Sequence, residues 1–305
     1  MDRVGVVVLN YKAFKDTIVC VDSLLLQRGV EIHVVIVDNA SGNESVKVLK
    51  DRYDKNLRVE IIESNENLGF ARGNNLGIAR LRSLGYDFVF LANSDLVFSG
   101  DDILYDMVRE YSSCRAAAGL IDPVVINPDN SPALFVYFKK KLMRLRMIRT
   151  FIEGYFKNRA RSNLSPTDIL SDEDMIRSYD IDQIRDNLYL GKKEGKPGHL
   201  VHEDHFKIIG CAYMYTPDFF KHYDLMYPET FLYGEEYCTA LFLAAAGLST
   251  MEVNTAAIVH LGGRSTSPGI KKSKMIRDRY KKAVYGLIAT PPGRIVSKYG
   301  RVNKA

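Results

Sequence analysis

Two carboxylates in this sequence stand where apolar runs stop. Val34-Val-Ile-Val37 leads into Asp38, and Phe88-Val-Phe-Leu-Ala92 leads into Asn93-Ser94-Asp95. Runs of this kind suit strands buried on both faces. A carboxylate at the C-terminal end of such a strand sits where open α/β sheets bind their ligands. Asp is a poor strand residue, so strand propensity does not account for either position. Asp38 is suited to accept hydrogen bonds from a base or ribose, and Asp95 to hold a divalent cation on a nucleotide diphosphate. Read alone, Asn93-Ser94-Asp95 fits equally well a turn ahead of the helix that Ser99-Gly-Asp-Asp102 opens.

Four polar clusters end successive runs: Asn10-Tyr11, Asp38-Asn39, Asn65–Asn75 and Asn93–Asp95. On a parallel sheet all four crowd one edge, where they could grip a nucleotide. Within the third cluster, Gly69 and Gly73 allow close backbone approach, Arg72 could reach a phosphate, and Asn75 ends the string. Turn chemistry accounts for any one cluster taken singly. There is no G-x-G-x-x-G and no G-x-x-x-x-G-K-[ST], which disfavours a dinucleotide dehydrogenase or a P-loop NTPase.

The elements that must position these residues alternate. Strands are expected at Val4–Asn10, Glu31–Val37, Leu57–Ile62 and Tyr86–Ala92, with helices at Phe14–Leu26, Glu44–Tyr53 and from about Asn75 to Ser83. That alternation specifies an α/β fold with a mostly parallel sheet covered by helices on both faces. Beyond a helix near Ile103–Tyr111 and a strand around Ala116–Ile121, Pro123, Pro128 and Pro132 break the rhythm. A single strand is expected over Phe206–Tyr215, then a short helix Pro217–Tyr223 and a helix entered from Phe231 and closed by Gly247. A last strand, Val253–Val259, ends at His260.

Five stretches, in order, resemble the inverting family 2 glycosyltransferases, most closely their rhamnosyltransferase-like branch. They are Val6–Tyr11, Val35–Ser41, Asn65–Asn75, Leu91–Asp95 and Phe231–Glu236. The long string Asn65-Glu-Asn-Leu-Gly-Phe-Ala-Arg-Gly-Asn-Asn75 carries most of the specificity. The resemblance covers roughly Val4–Asp122 and Phe206–Arg264. It implies a GT-A fold, with a Rossmann-like nucleotide-binding half over 1–125 and an acceptor-side half over 126–265. It also implies position-by-position roles. Asp38 would contact the donor's base, with Asn10, Tyr11, Asn39, Gly69, Arg72, Asn75, Asn93 and Ser94 around the nucleotide. Asp95 would hold Mn²⁺ or Mg²⁺, helped by His260. Glu236 would be the base that takes the acceptor proton, with Glu235 its rival. In the family the pair usually reads Glu-Asp with another Asp two residues on, and here Cys238 stands at that last position. Acidic charge at a helix N-terminus is the plain alternative for the pair.

The expected activity is transfer of a sugar from a nucleotide-sugar donor, dTDP-rhamnose first and a UDP-hexose second, to a surface-glycan or lipid-linked acceptor. The alternative is a GT-A-shaped nucleotide-binding protein that has lost catalysis, to which Ser94, Glu236 and Cys238 lend some support. Net charge is +5, but it is laid out in blocks. Nine Lys or Arg fall between Lys139 and Arg161 against Glu153 alone, and a second basic run spans Lys271–Lys282. The first lies in a helical insertion expected near 134–200, the second in a basic helical tail over 266–305. Either could touch an anionic membrane face or be a solvated charged helix, and the second could serve as a homodimer arm. No nucleic-acid module accompanies the charge. Cys20, Cys114, Cys211 and Cys238 are too scattered for a zinc site or disulfide framework. Reduced thiols are expected of a cytoplasmic protein, no apolar run has membrane-spanning length, and the basic runs suit peripheral contact at the inner membrane face.

Overall fold

A computed structural model describes residues 1–133, 135–139, 198–262 and 274–301. Most of the basic insertion and the acidic stretch 168–186 lie outside the described residues. The chain runs β1 (Arg3–Asn10), α1 (Phe14–Leu24), β2 (Glu31–Asp38), α2 (Ser45–Tyr53), β3 (Val59–Glu63), α3 (Gly69–Ser83), β4 (Phe88–Asn93), β5 (Leu96–Phe98), α4 (Ile103–Ser113), β6 (Ala118–Asp122), β7 (Val125–Ile126) and β8 (Val136–Lys139). It continues with β9 (His199–His202), β10 (His205–Ile208), β11 (Ala212–Tyr215), α5 (Pro217–His222), α6 (Glu235–Ala246), β12 (Ser249–Val253), β13 (Ile258–His260), α7 (Lys274–Ala289) and α8 (Pro292–Tyr299).

Among the described residues, eight strands form one sheet in the order β3-β2-β1-β4-β11-β6-β12-β9. The first four are parallel, β6 and β12 are parallel to each other, and β11 and β9 run against their neighbours. The apolar runs are uninterrupted because both faces are covered. On β1, Val7 packs with α3 and the C-terminal helices, while Val4, Val6 and Val8 pack with α1, α2 and α4. Helix α3 lies close on β1: Gly73 and Gly77 leave room for Leu9 and Val7, and Leu81 fills the space over Gly5.

Two expected strands are each divided. Phe206–Tyr215 breaks into β10 and β11, which belong to different sheets: β10 pairs with β8, and β11 inserts between β4 and β6. The break falls at Ile209-Gly210-Cys211, where Gly210 makes way for the Glu236 side chain. Val253–Val259 likewise divides into β12 in the main sheet and β13, which pairs with β5 and β7 in a small sheet. The second sheet places His260 opposite Leu96, next to Asp95.

The two halves meet where α3 begins. The Phe70 N–H donates to the Phe231 carbonyl at 2.6 Å. Gly69 has φ of +78°, and a Cβ there would run into that carbonyl and the Phe231 ring. Gly69→Ala therefore carries a left-handed backbone penalty of about 1–2 kcal/mol plus a backbone clash. At Gly42, also left-handed but with nothing within 4 Å of a Cβ, Ala should show the backbone penalty alone. Urea denaturation of the two variants should place Gly69→Ala clearly below Gly42→Ala.

Candidate active site

The parallel register gathers the strand ends as the alternation requires. Asn10 lies opposite Asp38, and Leu9 opposite Asn93. Buried Asn10 donates from Nδ2 to Asp38 Oδ2 at 2.6 Å and accepts from Thr17 Oγ1 at 2.8 Å. Ser41 donates its hydroxyl to Asp38 Oδ2 (2.6 Å) and its backbone N–H to Asp38 Oδ1 (3.0 Å). The Ser41 hydroxyl in turn accepts the N–H of Lys12, a residue held at positive φ. Three bonds thus fix the orientation of the Asp38 carboxylate and leave part of its acceptor capacity free. Tyr11 is half-buried beside it, with the Lys12 ammonium 5.4 Å from its ring centre.

Asn39 is committed to the next loop. Its Oδ1 accepts the Leu68 N–H at 2.9 Å, and its Nδ2 donates to Asn67 Oδ1 and the Gly69 carbonyl, both at 3.1 Å. Asn75 is buried, and its side-chain amide pairs with both backbone groups of Met226 at 3.0 Å. Arg72 is exposed; it donates to the Pro228 carbonyl at 3.2 Å and lies 3.8 Å from Glu229. The Asn65–Asn75 string thus spends Gly69, Arg72 and Asn75 on the segment 226–231 that precedes the acidic pair.

At the other corner, Ser94 and Asp95 are buried and Asn93 half-buried. Asp95 Oδ1 lies 3.4 Å from His260 Nε2, and its carbonyl accepts the Leu261 N–H at 2.9 Å. Burial alone would lower the His260 pKa, but hydrogen bonds and charge from Asp95 and Cys211 outweigh it and carry it up to about 10. A carboxylate oxygen beside an imidazole suits Mn²⁺ or Mg²⁺ shared with phosphate oxygens. Among the described residues no group of three or more His, Cys, Asp or Glu is placed to hold an ion. The donors therefore fit a cation completed by a diphosphate and water, not a cage built by the protein alone.

Glu235 and Glu236 open α6 behind Gly234, which has φ of +91°. Glu235 is buried, and its Oε1 has no hydrogen-bond partner among the described residues. Burial first, then the charge of Glu236, pushes the Glu235 carboxyl well above the usual carboxylate range. Burial also raises Glu236. Both carboxyls therefore ionise less readily than a free glutamate. The Glu236 carboxylate fills the space where a Gly210 side chain would be. The next residue, Cys211, accepts the Asn93 N–H at its carbonyl (2.9 Å) and hydrogen-bonds His260 through its side chain. Residues 209–211 are the short path between the acidic pair and the Asp95 corner.

Sequence reading missed the support beneath this path. Asp122 ends β6 fully buried; its Oδ1 accepts the Ile209 N–H at 3.3 Å, and its Oδ2 has no partner among the described residues. Burial raises its pKa well above the ordinary value. The signal was present, since Ala118–Ile121 is another apolar run halted by a carboxylate. Gly210 was equally visible as a glycine inside a strand pattern, which marks a break or a close approach.

The family model described as glycosyl transferase family 2 matches residues 5–165. No curated protein matches the sequence. A crystal structure of GalNAc-T7 with UDP, GalNAc and Mn²⁺ superposes with a TM-score of 0.56 at 13% identity, covering 98% of this chain and 53% of that one. The crystal structure of S. aureus TarS gives 0.49 at 12% identity, covering 86% and 37%. The mannosyltransferase PcManGT from Pyrobaculum calidifontis, with GDP-Man and Mn²⁺, gives 0.36 at 21% identity, covering 42% and 36%. The chain spans 35% to 60% of the length of the solved structures it matches. The likeness to GalNAc-T7, at a TM-score above 0.5, establishes the fold, which is of the GT-A type.

Two titrations test the buried charges. A histidine pKa raised to about 10 stabilises the fold fully below the ordinary value near 6.5 and progressively less as pH rises through 10. In Asp95→Asn, burial acts with less opposition, so an NMR titration should find the His260 pKa lowered by several units. Asp122 has a raised folded pKa, so the folded state keeps a proton that the unfolded chain releases, and stability falls as pH rises above about 4. Asp122→Asn should flatten that decline, giving a higher melting temperature than wild type at pH 8 and a smaller difference at pH 4.

Proposed function

We propose that this chain, which belongs to glycosyl transferase family 2, moves a sugar from a nucleoside-diphosphate donor to an acceptor hydroxyl with inversion at the anomeric carbon. The observation that carries the reading is the acidic pair at the head of α6, Glu235 buried and Glu236 half-buried, joined through residues 209–211 to the Asp95–His260 corner. Asp38, held by Asn10 and Ser41, would receive the base or ribose, with Tyr11 beside it. Asp95 and His260 would hold Mn²⁺ or Mg²⁺, which neutralises charge on the departing diphosphate.

Glu236 would take the acceptor proton as the hydroxyl oxygen attacks from the side opposite the leaving group. One base on that side suffices, and no covalent enzyme intermediate forms. Glu235 is buried, whereas Glu236 is half-buried and lies against Gly210 on the path to the Asp95 corner, which suits Glu236 to act as base. This favours Glu236 over its neighbour. Asn39, Gly69, Arg72 and Asn75 would then serve by fixing the acid-bearing segment against the nucleotide half.

The dTDP-rhamnose donor, with a UDP-hexose second, rests on the motif resemblance alone, as does a surface-glycan or lipid-linked acceptor. Among the described residues no helix is long and apolar enough to cross a membrane. Helix α7 turns Ile276, Ala283, Val284, Leu287 and Ile288 into the core and exposes Arg279 and Lys282. Any membrane contact through α7 would therefore be electrostatic, without insertion of its apolar side. The four free cysteines suit a reducing compartment such as the cytoplasm.

Incubation with a panel of dTDP- and UDP-sugars and Mn²⁺ should release nucleoside diphosphate. Asp95→Ala and Glu236→Gln should each lower kcat by about a hundredfold or more. Glu236→Gln should keep the metal-dependent rise in melting temperature that the nucleotide gives wild type. Because burial raises Glu236, activity should rise with pH along a limb above the ordinary Glu pKa. Nucleotide binding without turnover across the whole panel would favour the non-catalytic alternative.

A further inference from the structure

We propose that Tyr280 is a positioning residue for the acidic pair, which makes the C-terminal helix α7 part of the catalytic apparatus. The inference rests on the role given above to Glu235 and Glu236. Gly234, the residue before the pair, is held in a left-handed conformation, and a Cβ on it would come within 2.6 Å of the Tyr280 ring edge, at Cδ2, and 3.2 Å of Val284 Cγ2. The Gly234 carbonyl accepts the Cys238 N–H at 3.1 Å, the bond that starts α6. Tyr280 therefore packs directly on the hinge from which both carboxylates project.

Further contacts give this packing its leverage. The Arg279 guanidinium lies 5.1 Å from the Phe231 ring centre, so consecutive residues of α7 cover both ends of the loop 231–234. Below them, Ala283, Val284, Leu287 and Ile288 are buried in the core shared with Leu241 and Phe242. The Tyr227 hydroxyl donates to the Ala283 carbonyl at 3.2 Å, and Tyr299 of α8 packs on Tyr227 and Phe242. The helix is anchored, so its ring can hold the loop.

Burial raises the Tyr280 hydroxyl, with further contributions from Tyr237, Cys238, Glu236 and Glu235, as expected for a ring within the field of the pair. Removing the ring would free Gly234 to change conformation and admit water to the carboxylates. Admitted water stabilises their charged forms and lowers their pKa values. A carboxylate displaced by about 1 Å costs up to about a hundredfold in rate without touching the donor's nucleotide.

The test uses the full chain with Tyr280→Ala and Tyr280→Phe. Tyr280→Ala should lower kcat about tenfold or more while the donor KM stays within about twofold. Its acid limb should move to lower pH, and Tyr280→Phe should restore both. Independently of turnover, hydrogen exchange in peptides covering 234–238 should quicken in Tyr280→Ala and not in Tyr280→Phe, with protection of β1, β2 and β4 unchanged. If Tyr280→Ala does not fold, Tyr280→Leu replaces it with the same expected ordering. Wild-type turnover with no change in rate, pH limb or exchange in the substituted chain would overturn the inference. A wild type that turns over no donor would instead remove the proposed function, and the exchange measurement would still decide whether Tyr280 holds the loop.

Discussion

The backbone contact between the start of α3 and Phe231 holds this structure to one geometry. Residues 69–70 and 231 are far apart in sequence, yet the Phe231 carbonyl accepts the Phe70 N–H and occupies the space over Gly69. Asn75 extends the junction by pairing with both backbone groups of Met226. A backbone segment buried away from water needs its polar groups satisfied. Here the N-terminal half supplies those partners to the segment that leads into Glu235 and Glu236. The spacing between Asp38 and the acidic pair is thereby set by one backbone hydrogen bond and by the buried side-chain amides of Asn39 and Asn75.

The placement of charge follows from that junction. Asp38 keeps three donors and an ordered orientation, as suits a carboxylate that meets a polar ligand. Glu235 and Asp122 have the opposite environment, buried with one oxygen unpartnered among the described residues. A buried carboxylate is costly to ionise, so proximity alone does not settle which carboxylate acts. Burial raises both carboxyls at the head of α6, and Asp122 supports the path between them and Asp95. Protonation is thus sorted by burial within one small region, the pattern expected where acid and base roles must separate.

Much of this was legible in the sequence, for an identifiable reason. Strands covered on both faces produce long apolar runs, and a polar residue ending such a run is visible without any structure. Asn10, Asp38 and Asn93 fall at adjacent strand ends on that signal alone. The division of Phe206–Tyr215 was not legible, because an apolar run looks the same whether it feeds one sheet or two. The break leaves room at Gly210 for the Glu236 side chain, which arrives from a distant part of the chain. The fates of Asn75 and Arg72 were hidden similarly, since an amide or guanidinium that could bind a ligand has the same identity as one that binds Met226 or Pro228. Local residue type reports capability, and long-range packing decides its use.

Glycines carry the remaining information about that packing. Gly69, Gly210 and Gly234 come from three separate segments, and at each the missing side chain makes room for part of one assembly: the Phe231 carbonyl, the Glu236 carboxylate and the Tyr280 ring. Glycine at a crowded position costs backbone entropy in the unfolded chain, so three such costs around residues 231–236 mean close packing is needed there. A loop free to move would need none of them. The acidic pair therefore belongs to a rigid element, pressed by α3 on one side, the 209–211 turn on another and α7 behind Gly234. Rigidity of that kind suits the proposed base, which must meet an incoming hydroxyl in a single orientation, and it ties that orientation to α3 and α7, helices far apart in the sequence.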